Sequence, residues 1–222
     1  MKKTLLATAA AALLGFGTSA SAMPTYNAAG PQLNVGMSTV TGGGWSLCFS
    51  GEYGDTGASI AGIAAGCTGD LMMLAGGVTG SDTLSLLAWA NETDVMFATG
   101  TNNTTHNANG AEWYFDPNWS WGFAPAGAAV NLSSCDIAES TSFGTGPTVN
   151  ERLCWHTGSG TLNGGWRVGA ADFLNFGTTG YTRYVFTANS QDNGVPEPAS
   201  LALLGAGLFG LGVSRRRKAA AR

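Results

Sequence analysis

Glycine and proline punctuate this chain so closely that long helices are excluded from most of it. The 222 residues include 34 glycines and 7 prolines, and both residue types disfavour helix interiors. Between them lie short apolar or alternating runs, which are typical of strands bounded by turns. The sequence therefore predicts an all-β fold, an antiparallel β-sandwich or a barrel-like single domain.

Ten short runs are predicted to form the strands of this domain. One of them, Leu84–Ala90, could instead form a short helix capped by Ser81 or Asp82, but a strand is preferred. The predicted strands are Leu33–Val40, Trp45–Ser50, Leu71–Ala75, Leu84–Ala90, Val95–Thr99, Glu112–Phe115, Ser120–Phe123, Leu153–His156, Trp166–Val168 and Arg183–Ala188.

One hairpin is specified more closely than the rest. The turn formers Asp116, Pro117 and Asn118 separate two aromatic runs, Glu112–Phe115 and Trp119–Phe123. Their rings are expected mainly to fill the core of a sheet that is poor in large aliphatic residues. In an alternating strand some must also face outward, where a Trp ring can stack on a sugar and the Asn/Thr-rich loop Thr101–Asn109 can add hydrogen bonds. The candidate stacking residues are Trp113, Trp119 and Trp121.

The N-terminus has the three parts of a secretory signal. Lys2 and Lys3 form a basic start, Leu5–Phe16 is apolar, and Ala20-Ser21-Ala22 is a small-x-small cleavage site. Residues 1–22 are therefore predicted to be a signal peptide, and the exported domain is predicted to cover residues 23–194.

The C-terminal tail, residues 195–222, is built to enter a membrane. Val195, Pro196, Glu197 and Pro198 form a polar break, and residues 199–213 follow without a charge. That run makes a helix of roughly 22 Å, short for a bilayer core of about 30 Å, and suits a temporary hold. A basic stop with its charge on the cytoplasmic side then follows, formed by Arg215, Arg216, Arg217 and Lys218.

This order of elements resembles the PEP-CTERM sorting signal of Gram-negative bacteria, and the resemblance covers only the tail. It implies an exported protein that is held in the inner membrane and then cut near Pro196-Glu197-Pro198 by an exosortase, a membrane protease. It also implies an association with exopolysaccharide and biofilm. The mature protein is then expected at the cell surface or outside the cell.

Charge excludes one class of partner. Seven of the ten Lys and Arg residues lie in the two end segments, which leaves Arg152, Arg167 and Arg183 against thirteen acids in the exported domain. Because binding to phosphates needs clustered Lys and Arg, no nucleic-acid partner is expected.

The four cysteines are expected to form disulfides, because export leads to an oxidising compartment. Cys48 and Cys67 are 19 residues apart, and so are Cys135 and Cys154. Two local loops of equal length favour the pairs Cys48–Cys67 and Cys135–Cys154. A zinc site is disfavoured, since no metal-ligand spacing is present.

No catalytic residue, metal site or cofactor is predicted, and the protein is interpreted as non-enzymatic. Its two histidines, His106 and His156, lie in a polar loop and on a strand without a recognisable nucleophile motif. Two alternatives stay open. One is a polysaccharide hydrolase, for which Glu112 and Asp116 are the nearest acid pair. The other is a calcium-dependent adhesion module that uses Asp70, Asp82 and Asp94.

Overall fold

The computed structural model of the protein describes residues 23–101, 104–130, 148–172, 174 and 179–190. These residues fold mostly into antiparallel sheet with a few short helices, as the all-β prediction expects. The predicted signal peptide, Cys135 and the sorting tail lie outside the described residues. The predicted domain boundaries stay predictions.

The elements follow one another closely along the chain. In order they are β1 (Gln32–Gly36), α1 (Met37–Gly42), β2 (Ser46–Glu52), β3 (Thr56–Ser59), α2 (Ile60–Gly66), β4 (Leu71–Val78), β5 (Thr83–Asn91), α3 (Glu92–Val95), β6 (His106–Ala108), β7 (Ala111–Phe115), β8 (Ser120–Pro125), a 3₁₀ helix (Val149–Glu151), β9 (Leu153–Gly158), β10 (Thr161–Val168), β11 (Ala171–Asp172) and β12 (Tyr181–Ala188).

The strands form two sheets. Sheet A has the spatial order β1-β5-β4-β12-β2, and sheet B has the order β11-β10-β9-β8-β7-β6, with β3 also paired to β10. Although β2 and β3 are consecutive in the chain, they belong to different sheets. The corner at residues 53–55 therefore carries the chain from sheet A to sheet B.

The main core lies between the two sheets. Along β4, Met72 and Leu74 face this core, while Leu71 and Met73 face a second cluster on the outer side of sheet A. This strand is buried on both faces, which explains why its sequence is continuously apolar. Sheet B contributes to the main core the residues Trp113, Phe115, Trp121, Phe123, Leu153, Trp155, Leu162 and Val168.

The N-terminal segment of the described chain covers the outer side of sheet A. The indole of Trp45 donates to the Tyr26 carbonyl at 2.8 Å, and the indole of Trp89 donates to the Ala28 carbonyl at 2.9 Å. Val40 of α1 is fully buried in the same cluster. The central strands of sheet A are thereby covered on both faces.

Tyr53, in the corner between β2 and β3, fills the space between the sheets. Its hydroxyl donates to the Arg167 carbonyl at 3.2 Å and accepts from the Trp155 indole at 3.1 Å. A Cβ atom placed on Gly76 of sheet A or on Gly165 of sheet B would collide with the Tyr53 side chain. Burial raises the pKa of Tyr53 well above its ordinary value, so the hydroxyl stays neutral.

Arg183 of β12 ties this corner to both sheets. Its Nη1 donates to the Gly164 carbonyl at 3.1 Å, and its Nη2 donates to the carbonyls of Glu52 and Asp55 at 2.6 and 2.7 Å. The guanidinium carbon lies 5.9 Å from the centre of the Tyr53 ring. Burial lowers the pKa of Arg183, but an arginine keeps its charge in proteins. A fully buried cation is thus solvated by three backbone carbonyls and a ring face.

The first predicted disulfide is present. Cys48 in β2 is bonded to Cys67, which follows α2, and their Cα atoms are 5.3 Å apart. The bond fastens an edge strand of sheet A to the segment that leads into β4. Cys154 is buried in β9, and because Cys135 lies outside the described residues, the second pairing stays a prediction.

Two predicted strands are wrong in part. Residues 37–40 belong to α1 rather than to the first strand, and the predicted strand Val95–Thr99 begins at the last residue of α3 and continues without regular structure. β-Branched residues in both segments favour a strand locally. Tertiary packing favours the helical conformation instead, because it buries the side chains of Val40 and Val95 completely in the core clusters.

Several short elements were not predicted. The start of helix α2 could have been recognised from Ser59, because serine is a common N-cap residue. In the structure the Ser59 hydroxyl accepts a hydrogen bond from the Gly62 amide at 3.1 Å. Ile60 and Ile63, which are three residues apart on one face of this helix, are both buried in the main core. The other missed elements are α1, α3, the 3₁₀ helix Val149–Glu151 and the strands β3, β6 and β11, which are too short to leave a periodic pattern.

Gly165→Ala should destabilise the protein by about 1–3 kcal/mol, because the new methyl group meets the buried Tyr53 ring, which has no space to move. Gly158→Ala is the matched control: it lies on the neighbouring strand, and its methyl group meets only the amide end of Asn163. Urea unfolding of the mature protein measures both. Equal stability of the two variants would contradict the tight contact between Tyr53 and Gly165.

Candidate functional site

The aromatic hairpin is confirmed as a hairpin, but it points its largest rings inward. Trp113 and Trp121 are 1% and 0% exposed, so they offer no face to a ligand. This corrects their assignment as stacking residues. The register pairs Trp113 with Phe123 and Phe115 with Trp121, so all four side chains lie on the core face of sheet B.

Ring and hydrogen-bond geometry hold these residues in place. Trp113 meets Phe123 edge to face at 5.3 Å between centroids, and Trp121 meets Trp155 in the same way at 5.3 Å. The buried indole N–H groups are satisfied by backbone carbonyls, that of Trp113 by Ala108 at 3.1 Å and that of Trp121 by Val95 at 3.2 Å. Such pairs stabilise a core beyond the area that they bury.

Trp119 is the member of the predicted set that remains accessible. It follows the turn at residues 116–118 and is 44% exposed. Its carbonyl accepts from the Thr157 amide at 3.1 Å, so the backbone that carries the ring is tied to β9. The structure thus presents one large flat ring from a fixed position.

The turn beside Trp119 is itself rigid. The Asp116 carboxylate accepts from the Asn118 amide at 2.8 Å, and the Asp116 carbonyl accepts from the Thr157 hydroxyl at 2.6 Å. The Asn118 side chain accepts from the Ser159 amide at 3.0 Å, which ties this turn to the turn between β9 and β10. We call the exposed ring of Trp119 on these two turns the Trp119 platform.

Most described polar side chains of the loop Thr101–Asn109, which is predicted to help bind a glycan, form hydrogen bonds within the protein. Glu112 accepts from the Thr105 hydroxyl at 2.7 Å, from the Asn107 amide group at 2.8 Å and from the Gly127 backbone amide at 2.9 Å. Partial burial raises the pKa of Glu112, but these hydrogen bonds and nearby His106 outweigh it and leave the pKa below its ordinary value.

The two histidines lie in different surroundings. His106, in edge strand β6, contacts Asp94 at 2.8 Å through Nε2 and stacks on exposed Phe97 at 4.5 Å between centroids. His156 lies in β9 opposite Ser120. The structure therefore separates them on sheet B.

The three aspartates proposed for calcium do not converge. The Asp70 carboxylate accepts from Ser190, Asp94 contacts His106, and exposed Asp82 lies in the turn between β4 and β5. Within the described ranges no group of three His, Cys, Asp or Glu side chains is placed to hold a metal ion.

The three arginines of the exported domain are buried and therefore add no positive charge to its described surface. Arg152, Arg167 and Arg183 are each at most 1% exposed, and the exported domain has no lysine. In contrast, at least part of the side chain is exposed in nine acids: Glu52, Asp55, Asp70, Asp82, Glu92, Asp94, Glu112, Asp116 and Glu151. The described surface therefore carries negative charge without a Lys or Arg side chain to balance it.

Comparison with known protein families identifies a sorting motif in the C-terminal tail. Residues 194–218 match the family described as the PEP-CTERM protein-sorting motif. The chain is thus an exported protein with an exosortase-type sorting signal, and the match covers that signal and not the folded body. Searches of curated proteins and of solved structures found no match. None of the helices in the described part of the chain has the length and apolar character needed to cross a membrane.

Trp121→Ala should cost about 3–5 kcal/mol of unfolding free energy, because it leaves a cavity beside Trp155. Trp119→Ala, the matched surface change, should cost less than about 1 kcal/mol. Urea unfolding followed by far-ultraviolet circular dichroism measures both, and similar losses would place Trp119 in the core, contrary to the structure.

Glu112→Gln should lower stability at neutral pH, because the ionised carboxylate that accepts three hydrogen bonds is lost. The folded-state pKa of Glu112 lies below its ordinary value. Its contribution is therefore present above the unfolded-state pKa of about 4.3 and is lost as the pH falls through the folded-state pKa. The stability difference from wild type should narrow below about pH 4. Asp82→Asn, at an exposed turn, is the control and should show no such convergence.

Proposed function

We propose that this protein is a non-enzymatic component of the cell surface or extracellular matrix that acts with exopolysaccharide. The observation that carries the proposal is the sorting motif at residues 194–218. In this proposal residues 1–22 direct export, residues 199–213 hold the chain in the inner membrane by a helix, and an exosortase cuts near Pro196-Glu197-Pro198. The body at residues 23–194 is then a β-sandwich released or displayed outside the cell, with a second disulfide between Cys135 and Cys154.

The surface charge supports a neutral polysaccharide as the partner. An acidic surface repels anionic chains, and the described surface has no Lys or Arg side chain that could neutralise carboxylates or phosphates. A neutral sugar needs no Lys or Arg side chain, because it binds by stacking on a flat ring and by hydrogen bonds.

The Trp119 platform supports the same partner. Its ring is accessible and its backbone is fixed by β9, so binding costs little conformational entropy. Trp rings supply a large contact area with few rotatable bonds. The platform is thus the surface on which a sugar ring would stack.

The state of the candidate acids supports binding rather than hydrolysis. A general acid for glycoside cleavage needs a raised pKa, whereas Glu112 is saturated with hydrogen-bond donors and its pKa is lowered. Asp116 uses its carboxylate to close a turn. Both carboxylates therefore serve to hold neighbouring loops and turns in place.

Trp119→Ala should reduce retention of the mature protein on neutral polysaccharide by roughly tenfold, because truncation of a Trp that anchors a binding contact typically costs more than about 1 kcal/mol. Phe97→Ala is the matched control, since Phe97 is another exposed ring at 52% and stacks on His106. Affinity electrophoresis in gels containing neutral or anionic polysaccharide measures both. Equal mobility of wild type and Trp119→Ala in every gel would remove the carbohydrate role.

A further inference from the structure

A cleft of about 340 Å³ opens between the ends of the two sheets, where β1, β5 and the start of β12 in sheet A approach the end of β10 in sheet B. Small-molecule sites in proteins are typically concavities of about 300–1,000 Å³, so this cleft has room for a small ligand. We call it the end cleft. Its walls include Leu33, Asn34, Ser85, Asn150, Val168 and Tyr181.

The polar side chains on the walls of the end cleft are neutral. They are the amides of Asn34 and Asn150 and the hydroxyls of Ser85 and Tyr181, and each of these groups both donates and accepts hydrogen bonds. None of the described residues that line the cleft carries a charge. Within the described part of the chain, no hydrogen bond engages these four side chains. They are therefore available to a ligand that itself offers donors and acceptors.

The backbone around the end cleft is fixed by contacts between distant segments. The Gly169 amide donates to the Arg152 carbonyl at 2.9 Å, and a Cβ atom on Gly169 would lie 2.9 Å from the Asn150 carbonyl oxygen. The turn after β10 therefore lies directly against the 3₁₀ helix that carries Asn150. In sheet A the Tyr181 carbonyl accepts from the Tyr53 amide at 2.8 Å. Groups that are held in this way need little further ordering when a ligand binds.

Asn34 has an unusual backbone conformation on the wall of the cleft. Its φ is 55° although it lies inside β1, a left-handed conformation that asparagine adopts more readily than most residues. The strand pairs before and after it keep one register, so Asn34 lies opposite Ser85 of β5. The irregular residue thus places an amide opposite a hydroxyl on the cleft wall. Sparsely populated backbone conformations of this kind are concentrated at active sites and ligand sites.

The chemistry of the end cleft matches a neutral sugar. A sugar hydroxyl both donates and accepts hydrogen bonds, as the four polar groups do, whereas an ionic ligand would meet no opposite charge on the described walls. The C–H face of a sugar ring is apolar, and the cleft offers it the Tyr181 ring, the exposed side chain of Leu33 and the buried side chain of Val168. A tyrosine ring supplies such a contact area with few rotatable bonds.

The end cleft is separate from the Trp119 platform. The platform includes the turn that precedes β10, whereas Val168, which lines the cleft, is the last residue of that strand. A strand of eight residues spans roughly 20–25 Å at about 3.3 Å per residue. The two surfaces therefore lie at opposite ends of β10.

We propose that the end cleft is a second binding site for a neutral sugar, so that one protein molecule holds two segments of polysaccharide. This inference rests on the proposed function, since it takes the neutral partner of the Trp119 platform as the ligand of the cleft. Two sites on one molecule raise its retention on a polymer above that of either site alone. They also allow the protein to bridge two polysaccharide chains.

The first test is an NMR titration of the mature protein with neutral oligosaccharides prepared from the exopolysaccharide of the cells that make it. Two groups of resonances should shift: the Trp119 indole N–H, and the backbone amides of Asn34, Ser85 and Tyr181. In Trp119→Ala the cleft amides should shift as in wild type, because the end cleft is intact. If the Trp119 indole shifts while the cleft amides do not, the end cleft is not a sugar site and the proposed function stands. If neither group shifts, the carbohydrate role fails together with this inference.

Two substitutions remove polar groups of the cleft with little effect on the fold. Asn34→Gly deletes the amide at a position where glycine adopts the positive φ readily, and Tyr181→Phe deletes only the hydroxyl. In Trp119→Ala protein, where the cleft is measured alone, each should weaken oligosaccharide binding about fivefold, the usual effect of one lost hydrogen bond. Asn109→Gly is the matched control, since Asn109 also has a positive φ, 46°, and does not line the cleft. Unchanged affinity in both cleft variants would overturn the assignment.

Bridging is measured by light scattering from the mature protein mixed with the intact neutral exopolysaccharide. Wild type should form complexes that scatter strongly, because each molecule joins two chains. Trp119→Ala and the double variant Asn34→Gly/Tyr181→Phe should each scatter less, since one of the two sites is weakened. Scattering equal to that of wild type in both would mean that two sites are not needed, which contradicts the inference.

Discussion

The buried contact between Tyr53 and Arg183 sets the spacing of the two sheets. Tyr53 occupies the corner where the chain passes from sheet A to sheet B, and Arg183 binds the carbonyls on either side of that corner. Burial of a lone cation costs several kcal/mol unless hydrogen bonds replace its water. Here three carbonyls do so. The glycines that contact Tyr53, Gly76 and Gly165, then become necessary, because any side chain at these positions would push the sheets apart.

The same burial of cations determines how the protein meets its surroundings. All three arginines of the exported domain are buried in the described structure, so they do not offset the negative charge of the acids at the described surface. A surface with negative charge and no exposed Lys or Arg among its described residues repels phosphates and other anions. The accessible Trp119 ring offers a contact that does not depend on charge. The position of the arginines therefore affects both the packing between the sheets and the charge of the described surface.

Both ends of the folded body are fastened to sheet A or to its neighbours. At the start, Tyr26 and Ala28 accept hydrogen bonds from buried indoles on the outer side of the sheet. At the end, Ser190 donates to Asp70 beside β4. The first and last described segments are thus both held by hydrogen bonds to residues of the body.

Sequence alone determined the local features of this protein: the sorting motif in the tail, the β class, most strand positions, the aromatic hairpin and the disulfide between Cys48 and Cys67. Each depends on residues that are close together in the chain or on composition. Tertiary structure decided which face of each strand is buried, and so placed Trp113 and Trp121 in the core, kept Trp119 accessible and made residues 37–42 helical. It also joined Asp70 to Ser190 across 120 residues. Period-two alternation shows that a strand has two faces, but which face is covered depends on segments distant in sequence, and no local pattern records those contacts.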